Sequence, residues 1–166
     1  MSIQLIETVV VTDPLVYSVD FTDIPQDGND LLLVISHRSP DAGTGAALFG
    51  TVNGVTSNYR WVEMSGTGTA TNSNSFAFQS VVKYGIIQSG SYTANTFGNT
   101  SVYFPNYTSS ALKNFFSESV TENRASAAEQ HMIGATLPFT SPITAISITK
   151  ALSQYSTASL YKITAD

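Results

Sequence analysis

Residues 96–123, TFGNTSVYFPNYTSSALKNFFSESVTEN, decide the fold. Val102 and Phe104 lie two apart and share one face of a strand, while Ser101 and Tyr103 take the other. Pro105 has no N–H to donate to a ladder and Asn106 favours a turn, so the strand ends there. Phe115 and Phe116 follow, then polar Ser117, Glu118 and Ser119 before Val120. The pattern predicts two antiparallel strands joined by a loop over residues 107–112. The rest of the chain reads as further strands around this pair.

Working outward, residues 3–12 read as a strand with Ile3 and Leu5 on one face, ended by Asp13-Pro14. Residues 15–21 alternate, Leu15, Tyr17, Val19 and Phe21 standing against Val16, Ser18 and Asp20. DIPQDGND at 23–30 is a turn cluster. LLLVIS at 31–36 is an unbroken apolar run, the mark of a central strand covered on both faces, the second cover being another sheet or a neighbouring subunit. Residues 46–52 form a strand ending at Asn53-Gly54, the strongest short hairpin signal, so 59–64 is the expected partner. SGTGTATNSNS at 65–75 reads as an exposed, mobile loop after the loop at 39–45. Residues 76–88 hold one or two strands, and 130–137, 143–151 and 158–165 one each. Only 124–129, RASAAE, has helical composition, and it is shorter than the ~12 residues of an independent helix. The expectation is one all-β domain over residues 1–166: an antiparallel β-sandwich of jelly-roll type, or a related barrel.

A chain of 166 residues suits one domain. At that size roughly 70% of the unfolded chain's surface can be buried. There is no Cys, so no disulfide or thiolate metal site can form. Charged residues make up 11%, against roughly 25% in ordinary globular proteins. Either exposed Ser and Thr on strand faces take their place, or the chain covers its surface with copies of itself or a partner, since interface centres are depleted in charge. The net charge of −5 and the scattered Lys and Arg exclude nucleic acid as a partner. The N-terminus lacks the basic start and cleavage site of a signal peptide. No apolar run approaches the ~20 residues of a membrane helix. The expected protein is soluble, with no membrane partner.

Catalytic constellations are thin. His37 and His131 are the two histidines, and no G-x-S-x-G elbow accompanies them. Glu63, Glu118, Glu122 and Glu129 are the carboxylates that a glycosidase pair would draw on. Asp23, Asp27, Asn29 and Asp30 surround Gly28 with oxygens and form a weak calcium candidate, without the alternate spacing of an EF-hand. Tyr59, Trp61 and Tyr107 are candidates for stacking on sugar rings, Tyr107 because it falls in a turn. No cofactor motif is present.

Four phrases carry a resemblance. FTDIPQDGNDLLLVISHRS at 21–39, TFGNTSVYFPNYTSSALKNFFSES at 96–119 with its aromatic-Pro-Asn-Tyr turn at 104–107, TSPITAISIT at 140–149, and STASLYKIT at 156–164 together resemble small all-β virion proteins of tailed bacteriophages, which serve as capsid decoration (cement) proteins or minor tail and fibre components. Lys162 stands where that group commonly has Gly. The resemblance implies a jelly-roll-like sandwich, homo-oligomers (trimers above all), capsid or tail proteins as partners, a place in the virion and no enzymatic activity. The alternative reading is a receptor- or glycan-binding module of a tail or head fibre. Val9, Val10 and Val11, unusually apolar beside a chain end, mark residues 1–12 as an interface strand that could add to a neighbour's sheet edge. Tyr107 is a second interface candidate.

Overall fold

The computed structural model describes residues 1–43, 46–123 and 127–165. It contains β-strands and no helix among them. The strands are β1 (Ser2–Val10), β2 (Val19–Phe21), β3 (Asp30–His37), β4 (Ala47–Val52), β5 (Tyr59–Thr67), β6 (Thr71–Gln79), β7 (Val82–Ile86), β8 (Gly98–Phe104), β9 (Asn114–Asn123), β10 (Ala127–Thr136), β11 (Ile146–Ile148) and β12 (Thr157–Thr164). They build two antiparallel sheets. The long one runs β1-β12-β3-β8-β9-β10-β5-β6, and the short one β2-β11-β4-β7. The all-β sandwich is therefore as expected, with its layers unequal: the long sheet alone has the eight strands of a whole jelly roll.

The expected pair is present. β8 and β9 align Tyr103 with Phe116 and Ser101 with Glu118. Val102, Phe104 and Phe115 point inward and are buried. Phe104 and Phe115 meet Tyr84 of the short sheet, with ring centroids 5.2–6.5 Å apart. The Tyr84 ring lies directly on the backbone of Gly50, where a Cβ would come within 2.1 Å of it. β3 is central, as its apolar run predicts. Leu31, Leu33 and Ile35 face the core, and its other face is half-buried.

Four expectations change. Asn53 and Gly54 form a turn with φ of 52° and 67°, closed by Val55 N–H to the Val52 carbonyl. It does not join β4 to β5, which lie in different sheets. The four residues 55–58 let the chain cross the sandwich, and the Tyr59 hydroxyl ties the crossing to Val52 and Val55. The polar stretch 65–75 is not a loop but the tip of the long β5–β6 hairpin, whose turn is residues 68–70. Its exposure is as expected; its ladder comes from backbone bonds that need no side-chain burial. Residues 15–21 do not hold one alternation. Val16 makes an isolated bridge to Leu152 and turns inward, while Leu15 and Tyr17 are exposed. The phase resets before β2, where Val19 and Phe21 are buried. Finally, Ala127–Glu129 of the helix-like stretch begin β10; residues 124–126 and the end of the 39–45 loop lie outside the described residues.

Candidate functional site

Alternation gives each strand of the long sheet an inner and an outer face. Register then aligns the outer residues in rows across all eight strands. One row reads Leu5, Tyr161, Leu32, Tyr103, Phe116, Gly134, Val62 and Ser75. It is apolar or aromatic across seven strands, roughly 30 Å at ~4.8 Å per strand. The next row carries Val34, Ser101, Glu118, Met132, Met64 and Ser73, and the one beyond it Ser36, Asn99, Val120, Gln130, Gly66 and Thr71. Across these rows Glu118 is the one formal charge. From β8 to β5 the apolar members are solvent-exposed, Val62 and Met64 by 60%, Phe116 and Val120 by 44%, while Leu32, Val34 and Tyr161 toward β1 are half-buried. At the hairpin end Met64, Gly66, Ser73 and Met132 line an open hollow of about 600 Å³.

A cation borders this face. Arg60 is level with Thr136 and Asn114, and its guanidinium lies 4.5 Å from the centroid of the Phe78 ring. An extra residue in β6 opposite 59–61 makes a bulge. There Phe78 takes φ 59° and is 70% exposed. A left-handed aromatic residue is strained, by roughly 1–2 kcal/mol, and here the strain turns a ring onto the Arg60 face.

The inner face of the same strands holds a chain of ionisable groups. Lys83 Nζ donates to Glu63 Oε2 at 2.6 Å and lies 3.3 Å from His131 Nδ1. His131 Nε2 is 3.2 Å from Glu129 Oε1, and Asn74 Nδ2 donates to Glu63 Oε1. Since an ammonium can only donate, His131 Nδ1 accepts and Nε2 carries the proton to Glu129. Glu63, Glu129 and His131, weighed separately as catalytic candidates, thus meet through Lys83, whose part no spacing revealed. Glu63, Glu129 and His131 are buried and Lys83 is nearly so, and none lines a described hollow. The arrangement holds β5, β7 and β10 together. Glu118 is on the opposite face, and Glu122 Oε1 accepts from Gln88, Thr93 and Thr96.

The calcium candidates do not converge. Asp27 pairs with Lys162 at 2.6 Å, whose hydrogen bond holds its carboxyl below the usual range. Asn29 Oδ1 accepts the Ala165 N–H. Asp30 accepts from the Tyr103 hydroxyl and the Asn106 N–H. Asp23 stands apart in a left-handed turn. The lone oxygens are spent on closing the loop, and among the described residues no three His, Asp or Glu groups could share a metal ion.

The sugar-stacking candidates are inside. Tyr59 and Tyr107 have no exposed surface and Trp61 has 5%, stacked on Phe76. Tyr107 sits in a turn, as read, but its ring turns inward. Its hydroxyl donates to the Pro25 carbonyl and accepts from Gly28 N–H. It pins the 23–30 loop and cannot serve as an interface residue. Of the three valines only Val10 is exposed: Val9 packs against the core and Val11 is buried. A bulge between Leu5 and Glu7 swaps the faces of β1, so Ile3 and Leu5 point outward while Ile6 and Val9 point inward.

No protein-family model matches the chain, and no curated protein matches it. A solved structure, a protein of unknown function from Shewanella oneidensis MR-1, is 11% identical with a TM-score of 0.27; the alignment covers 99% of this chain and 77% of that one.

Proposed function

We propose that this chain is a structural contact protein of a bacteriophage particle, a capsid decoration protein that works by being held and catalyses nothing. The supporting observation is the outer face of the long sheet. A monomer rarely leaves a contiguous apolar patch beyond a few hundred Å² in water. Here Tyr103, Phe116, Val62, Met132, Met64 and Val120 of neighbouring strands are left exposed, with one charge across three rows. Depletion of charge and enrichment in aromatic residues and Met are what interface centres show. A shell offers many equivalent sites, so modest patches add up once the first is engaged.

The test is co-sedimentation of the purified chain with shells of the phage that encodes it. The wild type pellets with the shells. A Val62→Lys/Phe116→Lys variant, charged on the outer face, loses at least about tenfold in bound fraction, whereas Tyr17→Ser, in a loop of the short-sheet side, binds normally. A wild type that stays in the supernatant, or a face variant that binds as well as wild type, overturns the proposal. Sugar-specific binding to cells or glycans by the wild type would replace it with a receptor-binding module.

A further inference from the structure

We infer that the outer face is self-complementary: a second copy of this chain packs on it face to face, centred over Gly134, with Glu118 of each copy against Arg60 of the other. The inference rests on the reading of this face as a contact surface and names its occupant in the free chain, which a shell taking the same face displaces. It gives pairs where the resemblance implies trimers.

Gly134 is the first observation. Glycine in a strand interior weakens the strand and often marks the close approach of another backbone. Nothing inside this chain asks for it. A Cβ there would meet only Val62 Cγ2, at 3.8 Å, an ordinary contact. On the outer face it leaves the apolar row without a side chain between Phe116 and Val62, its neighbours there.

Charge is the second. Glu118 and Arg60 are the formal charges on this part of the face, and neither has an ion-pair partner among the described residues. Glu118 is level with Met132, and Arg60 with Thr136. Gly134 lies midway between those two on β10, the strand that separates β9 from β5. The two charges therefore stand on opposite sides of Gly134, each one strand and two residues away. A two-fold axis lying in the interface over Gly134, at right angles to that diagonal, brings each Glu118 onto the other copy's Arg60. Both contacts form in one operation, as a two-fold interface requires. With strands ~4.8 Å apart and a rise of ~3.4 Å per residue, the strands of the two copies cross at roughly 70°, in the near-orthogonal class of sheet packing.

Area is the third. Five strands, β8 to β6, lie symmetrically about β10. β10 ends at Thr136, two residues past Gly134, so with the strands crossing at roughly 70° the shared patch is roughly 24 Å by about 17 Å, or ~800 Å² for two faces. That is below the ~1,200–2,000 Å² of stable interfaces and in the range of weak, reversible pairs.

The test is sedimentation equilibrium of the free chain and four variants, each checked for folding by its thermal transition. Wild type pairs reversibly, with a dimer share that rises with concentration and is clear at about 100 μM. Arg60→Glu and Glu118→Arg each weaken the pair at least about tenfold, because each sets like charges together twice. The swap R60E/E118R restores it to within about threefold. Gly134→Leu keeps the fold and abolishes pairing. A monomeric wild type, unchanged single variants, a swap no better than the singles, or a Gly134→Leu dimer each overturns the inference. A monomer that still sediments with shells overturns the pair and leaves the contact function standing; a dimer that never binds shells does the reverse.

Discussion

At His37 a single side chain couples the fold to acidity. The ring lies at the end of β3 with no exposed surface. Its Nδ1 accepts the Gln88 N–H at 3.2 Å, so Nε2 carries the proton and donates to Thr100 Oγ1 at 2.8 Å. Gly98 makes room for it: a Cβ there would come within 2.6 Å of the ring. Burial pushes the pKa down from 6.5 to about 4. The unfolded chain therefore takes up this proton near pH 6.5 and the folded chain only near pH 4. The contribution to stability is complete above pH 6.5, declines as the pH falls, and is gone below about pH 4, a total of about 3 kcal/mol. Urea unfolding at pH 7 and pH 4 should show this loss in wild type. His37→Leu is less stable at pH 7, through the lost hydrogen bonds, but its stability falls by about 3 kcal/mol less over the same interval. An equal pH dependence in both would contradict the account. The burial of His37 was not readable from Ser36-His37-Arg38; it depends on Gln88, 51 positions away. Tyr107 misleads in the same way. A turn residue is expected outside, and only the nearby 23–30 loop gives its hydroxyl a reason to be inside.

Elements were readable where side chains declare them and unreadable where backbone or partner choice decides. β8 and β9 follow from alternation at 101–104 and from Phe115. β5–β6 does not, because the Gly, Asn and Ser that outnumber the threonines at 65–75 carry little strand preference, and the hairpin stands on its ladder alone at that end. Asn53-Gly54 specifies a local reversal, as read, but a reversal does not say which sheet the next strand joins. The outer face was half-readable: alternation assigns residues to it, while the rows need the register of eight strands. The same holds inside, where Glu63 of β5, Lys83 of β7 and His131 of β10 become one chain of contacts only after the sheets close. Lys83→Met leaves Glu63 buried without its cation, which costs about 3–5 kcal/mol. Adding Glu63→Leu removes the stranded charge and recovers most of that loss. Chemical denaturation of the two single variants and the double variant gives the coupling directly. Additive losses would mean that the pair does not act as a unit.

At the scale of the whole molecule, the long sheet is closed by its chain ends. β1 pairs with β12 along its length, Ser2 opposite Thr164 and Val10 opposite Thr157. The segment expected to reach a neighbour's sheet is committed to its own. Ile6 and Val9 pack against the core, and Val11 is anchored by its N–H to the Ser156 carbonyl and by the Tyr155 N–H to its own carbonyl. Two roles for the segment therefore predict different outcomes when it is removed. An arm donated to a neighbour would leave the stability of the lone domain unchanged and weaken association. An edge strand of the domain itself behaves the other way. Deleting residues 1–10 exposes the ladder of β12 and withdraws two half-buried aliphatic side chains, a loss of about 2–3 kcal/mol in apolar burial alone. It also leaves β12 as a bare edge of eight residues, where added strands and aggregation begin. The truncated chain should unfold at lower urea and precipitate at concentrations where the full chain is clear, while the pairing centred on Gly134, five strands away, persists in the soluble fraction. Unchanged urea unfolding with lost association would instead return β1 to the role of a donated arm.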